Sequence, residues 1–222
     1  MREKVLTHPV YFGPISLYAT LLKFDTFVFE NDDNFQKQTY RNRIYIYDAN
    51  GPLLLNIPIK HKSSLSNVKP EGKQKYRDVF IDNSFEWQKQ HWRALKASYQ
   101  TSPFFEFYED ELKPLYEKKF ENLITFNYEC LNFIAEALEI DWDIEKTSEY
   151  IAVPKDAFDA RKLVFSKKRL APKFDAERYA QVFETKHGFI NNLSILDLLF
   201  NCGPQTLAYL EAQQLPIFEV SE

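Results

Sequence analysis

The chain has 222 residues, 45 % of them apolar and 16 % aromatic, and a formal net charge of −4 at pH 7. That length and apolar share suit one sizeable domain, spanning 1–222, and exclude a disordered chain. The mildly acidic balance gives no general attraction to nucleic acid, and no apolar run nears the roughly 18 residues of a membrane span, so a cytoplasmic protein without membrane insertion is expected.

Lys4 to Thr7 reads as a short strand. It runs into the turn HPVYFGP, residues 8–14, where Pro14 suits the first position of a helix. Such a turn is either ordinary chain reversal or a rigid edge of a binding site. Ile15, Tyr18, Ala19, Leu21 and Leu22 fall at helical spacing, and Thr26 to Phe29 reads as a buried strand. Strand, loop, helix and strand make a βαβ unit with parallel strands.

Arg43–Tyr47 and Leu53–Ile59 flank Asn50-Gly51, the strongest short signal of a hairpin. Lys60 to Lys75 reads as an exposed loop and Val79 to Asp82 as a strand. Helices are expected over Ser84–Ser98, from a Ser102-Pro103 cap through Leu112, over Asn122–Ile140 and over Gln205–Gln213. Tyr150 to Val153 reads as a strand stopped by Pro154, and Ser194 with Asp197 has the form of a capping box. The fold class is α/β: an N-terminal βαβ unit and a β-hairpin in a mixed sheet, strand-rich over 1–82 and mainly helical over 83–222.

Five scattered glycines cannot build a glycine-rich phosphate loop, and no Gly-x-Ser-x-Gly elbow or His-Glu-x-x-His occurs. Cys130 and Cys202 lie in no Cys-x-x-Cys, and the four histidines are scattered, so no metal site is expected and the cofactor stays unknown. Cys202 falls at an expected helix end, whose partial negative charge disfavours a thiolate.

Four stretches could carry chemistry. The turn after the first strand puts His8 and Tyr11 at a strand's carboxyl end, where ligands of parallel sheets bind; alternatively Tyr11 only seals the core. Glu30 ends the second strand on the same edge. Lys37, Arg41, Asn42 and Arg43 lead into the hairpin, whose return brings Lys60 and His61 towards them. Like charges so close imply an anion between them, or else a charged strand edge that deters aggregation. His91, flanked by Trp87 and Trp92, is either a core histidine or a base whose pKa a dry setting lowers.

Taken in order, HPVYFGP, DTFVFE, YRNRIYI, NIPIKH, QHWRALKASYQTSPFF and NLSILDLLFNCG resemble the WbqC-like protein family over about residues 4 to 205. Many relatives carry Gln-Pro where this chain has His8-Pro9, and Asp in place of Glu30. The resemblance marks Tyr11, Glu30, Asn42, Arg43, Lys60, His91, Tyr99, Ser102 and Asp197 as matched positions. It implies a role in surface polysaccharide (O-antigen) production, with transfer of an amino acid or acyl group onto an activated sugar. On this reading His91 or Glu30 is the proton acceptor. His8, Tyr11, Arg41, Asn42, Arg43, Lys60, His61, Tyr99 and Ser102 hold an anionic substrate such as a nucleotide sugar. The alternative is a binding or assembly protein of the same pathway, without catalysis. Ser194 and Asp197 are explained equally well as a helix cap.

Overall fold

The computed structural model describes residues 3–60, 72–167 and 170–218. The fold is α/β. Strand β1 (Lys4–Thr7) leads through the first turn into helix α1 (Ile15–Leu21), and β2 (Thr26–Phe29) returns parallel to β1, with Leu6 opposite Val28. Both strands are almost wholly buried, which is why they read as unbroken apolar and β-branched runs. The first turn is tightly specified. Phe12 holds φ at +38, and a Cβ on Gly13 would lie 2.6 Å from Val10 Cγ2, so glycine is required there for space.

Two more strands complete a parallel sheet in the order β5-β2-β1-β6, with β5 (Asp143–Lys146) beside β2 and β6 (Phe158–Asp159) beside β1. Residues 150–153, read above as a strand, form none. Pro154 has no N–H to give a ladder, and the Ile151 N–H is taken by the Glu30 carboxylate at 2.9 Å. The strand in this part of the chain is instead the charged edge β5, where Glu145 pairs with Lys4 of β1 at 2.6 Å.

Strands β3 (Arg43–Asp48) and β4 (Gly51–Asn56) form the expected antiparallel hairpin as a second, two-stranded sheet. Gly51 takes φ +104, which suits glycine. Val79–Asp82 follows a 3-10 turn at Tyr76–Asp78 and forms single bridges only, Ile81 with Ile59 and Phe80 with Asn122.

The remaining helices are α2 (Trp87–Tyr99), α3 (Phe105–Leu112), α4 (Pro114–Glu117), α5 (Leu123–Ala137), α6 (Glu184–His187), α7 (Ile195–Cys202) and α8 (Thr206–Ala212). Asn122 caps α5 by accepting from Thr125 N at 3.1 Å. Ser102 does not cap α3; its hydroxyl donates to Tyr99 O at 2.7 Å and closes α2. Gly203 ends α7 at φ +53, where a Cβ would strike the Phe104 ring at 2.5 Å.

The start of α7 clamps the first turn. Ile15 N donates to Leu193 O at 3.0 Å, Ile195 N to Gly13 O at 2.9 Å, and Ser194 Oγ to Phe12 O at 2.6 Å. Among the described residues no helix is long and apolar enough to cross a membrane.

Candidate functional site

The carboxyl ends of β1, β2 and β6 lie side by side and leave a cleft of about 180 Å³. His8 follows β1, Asp33 comes from the loop after β2, and Arg161 follows β6; Arg41, Tyr150 and Lys162 complete the part used below.

Arg41 organises the cleft. Its Nη2 lies 2.7 Å from Asp33 Oδ2 and 2.6 Å from His8 Nε2, and Nη1 donates to Asn34 O at 3.1 Å. The guanidinium also covers the Tyr76 ring at 5.0 Å. His8 Nε2 also faces Asp33 Oδ2 at 3.0 Å, so the imidazole stands between the Arg41 guanidinium and the Asp33 carboxylate. Burial, and then the Arg41 charge, push the His8 pKa down to about 3. For Asp33, burial pulls upward, but hydrogen bonding to His8 and the Arg41 charge outweigh it and hold the carboxyl well below its usual range.

Two buried nitrogens in this cluster, His8 Nδ1 and Arg41 Nε, have no hydrogen-bond partner among the described residues. Leaving the Arg41 Nε–H so costs about 1–3 kcal/mol, which an acceptor oxygen would recover.

Arg161 is bidentate to Asp159 at 2.8 and 2.7 Å and donates to Ile151 O at 2.6 Å. Its guanidinium covers the half-exposed Tyr150 ring at 5.6 Å. Glu30 is fully buried beside it. One carboxylate oxygen accepts from Asp32 N at 2.9 Å and Thr147 Oγ1 at 2.7 Å, the other from Ile151 N at 2.9 Å. Glu30 thus fastens the loop that carries Tyr150. Lys162 is exposed and makes no ion pair among the described residues.

His8, Glu30 and Arg41, distant in sequence, meet here. The other expected site residues do not join them. Tyr11, fully buried, holds His91 Nδ1 at 3.0 Å and Tyr116 Oη at 2.9 Å. Burial pushes the His91 pKa down to about 4, partly offset by the Asn56 backbone. Asn42 spends its amide on Asn56 Oδ1 at 3.2 Å and Ile57 O at 2.9 Å. Arg43 stands opposite Asn56 in the hairpin, with a buried Nε that has no partner among the described residues. Lys60 bonds through its backbone to Phe80 O at 2.9 Å, away from the cleft, and His61 lies outside the described residues. Tyr99 joins β3 to α7, and Ser102 closes α2.

Asp197 corrects the capping-box reading in part. Ser194 caps α7 by accepting from Leu196 N at 3.3 Å, but Asp197 turns inward to Tyr99 Oη at 2.7 Å and Tyr179 Oη at 2.5 Å. Burial, and then the Asp197 charge, push the Cys202 thiol up to about 11. Among the described residues no three His, Cys, Asp or Glu side chains gather as a metal-holding group. The sequence reading missed Asp33, Asp159, Arg161 and Lys162. For Asp33 a signal existed, since it stands three residues after the second strand's terminal Glu30.

These features define an α/β protein with a charged cleft at the carboxyl edge of a short parallel sheet. The WbqC-like protein family model matches residues 8–169 and 155–209, and the chain belongs to the WbqC-like protein family. It is also 31 % identical to an uncharacterized protein of Mycobacterium tuberculosis, Rv1507c, over 87 % of this chain and 91 % of that protein. No solved structure matches the chain.

Proposed function

We propose that the cleft binds an anionic small molecule and that the protein is a cytoplasmic transferase acting on it. The observation that carries this reading is the unpartnered Arg41 Nε–H, a buried cationic donor in a cluster where His8 Nδ1 also has no partner among the described residues. A phosphate or carboxylate oxygen supplies the acceptor that Arg41 Nε lacks, and Lys162 adds charge at the rim. The stacked Tyr150 and Arg161 offer a flat shelf beside that anion. The family resemblance supports a nucleotide-linked sugar as the substrate, an amino acid or acyl group as the group moved, and surface polysaccharide as the product.

Direct transfer between two bound substrates fits a cleft whose carboxylates, Asp33 and Asp159, are both held by arginines. Arg41 then neutralises charge gathering on the departing oxygen, and Glu30 holds the Tyr150 loop in place. The second reading, a binding protein without catalysis, draws on the fact that Glu30 and Arg161 are already engaged by the protein itself.

Thermal unfolding against nucleoside-diphosphate sugars, sugar phosphates and free amino acids tests this. A true ligand stabilises by about 2.7 kcal/mol at a hundred times its Kd. Stabilisation by at least one phosphorylated sugar, lost in Lys162→Glu, is expected. No stabilisation by any anion at millimolar concentration overturns the reading. Stabilisation without any product by mass spectrometry, when amino-acid and acyl donors are added, favours the binding protein.

A further inference from the structure

We propose that a groove between the start of α2 and α4 is a second binding site, taking an uncharged sugar ring. The groove has a volume of about 510 Å³, within the range of small-molecule sites, and shares no lining residue with the cleft.

Three rings line it: Phe85, Trp92 and Tyr116. Phe85 is 60 % exposed, so its ring face is open to a guest. Trp92 and Tyr116 lie with centroids 5.7 Å apart at an interplanar angle of 33°. Tyr116 cannot swing, because its hydroxyl is tied to Tyr11 Oη at 2.9 Å, and Tyr11 to His91 Nδ1 at 3.0 Å. Buried Tyr116 thus backs Trp92 as a fixed floor, and the exposed Phe85 beside it completes an apolar surface that suits the C–H face of a ring.

The groove offers no field to an ion. Lys89 pairs with Glu86, Lys119 with Glu121 at 2.7 Å, and Glu117 with Lys113 at 3.5 Å. What remains is hydrogen-bonding capacity, mostly accepting. Gln88 spends its amide nitrogen on Leu115 O and Lys118 O at 2.9 and 2.7 Å, leaving Oε1 open. The Glu86 and Glu117 carboxylates, each with one ion pair among the described residues, keep further acceptor capacity. Apolar faces ringed by acceptors match a molecule with C–H faces and a belt of hydroxyl donors. A purely aromatic guest would leave those acceptors unused.

Saturation-transfer NMR on the whole protein tests this with methyl glucoside, N-acetylglucosamine and rhamnose, and with indole as the aromatic control. Transfer to the ring protons of at least one sugar is expected. In Phe85→Ala, an exposed position, affinity should fall roughly tenfold at unchanged melting temperature, equivalent to about 1.4 kcal/mol. Glu117→Gln, which keeps the fold, should weaken the same sugar. The proposal is overturned if no sugar shows transfer, if transfer survives Phe85→Ala undiminished, or if indole binds and the sugars do not. None of these outcomes depends on anion binding in the cleft, so the two proposals stand or fall separately.

Discussion

The cluster of His8, Arg41 and Asp33 and the network around Asp197 are built from similarly buried polar parts, but they close differently. Asp197 accepts from Tyr99 at 2.7 Å, Tyr179 at 2.5 Å and Gln181 at 2.9 Å, and Tyr99 Oη in turn takes the Tyr47 N–H at 2.9 Å. No buried side-chain polar atom of that network lacks a partner, whereas the cleft cluster leaves two nitrogens unmatched among the described residues. Burial alone does not separate a structural network from a ligand site. In the cleft two unspent nitrogens stand together at an opening, whereas single unspent atoms such as Arg43 Nε also occur away from it.

The largest effect that would break this comparison is at Asp197. Asp197→Ala removes one acceptor from three buried donors and should cost about 3–5 kcal/mol in urea unfolding, with ligand stabilisation per bound molecule retained. A cost below about 1 kcal/mol would mean that the network is not closed as described.

Acid should separate the two regions by sign. His8 and His91 have native pKa values pushed to about 3 and about 4 from an ordinary 6.5, so the unfolded chain takes up protons first. Their contribution is whole above 6.5 and drains as pH falls towards those values. Asp197 is opposite: burial raises its pKa, so its share is whole below the ordinary carboxylate range and drains as pH rises through it. Urea midpoints across this range should therefore fall less steeply with acid in His8→Asn and His91→Asn. Unchanged slopes in both would show that neither histidine is held neutral.

Smaller effects sharpen the cleft. Arg41→Lys keeps a charge beside Asp33 but loses Nε–H and the fork, and should cost about 1–2 kcal/mol in stability and roughly tenfold in anion affinity. Lys162→Glu, at an exposed position, should change stability by less than about 0.5 kcal/mol while weakening anion binding, more so at low salt.

The β1–α1–β2 unit and the hairpin were legible because their apolar runs and turn residues act locally. Strand β5 was not, since only Ile144 of its four residues turns inward and a charged edge looks like loop. Tyr150–Val153 misled because its apolar run serves the cleft rim, with a carboxylate taking a backbone donor that a ladder would have used. Strand-end geometry placed His8 and Glu30 at this edge, and Arg41 stood out as a charged lead into the hairpin. Asp33 and Arg161 were hidden in polar loops, where spacing carries no period. The expected gathering of Arg43, Lys60 and His91 with them failed for a physical reason. Arg43 leaves the hairpin on the side of Asn56, while Arg41 precedes β3 and turns to Asp33.

The clamp between residues 13–15 and 193–195 bears on how the molecule is made. On the ribosome β1 and the first turn emerge long before their partners at β6 and α7. Such distant pairing is slow and leaves apolar segments waiting. Nascent chains stalled before residue 195 should therefore stay protease-sensitive at the first turn, and release of the α7 segment should be the event that seals it.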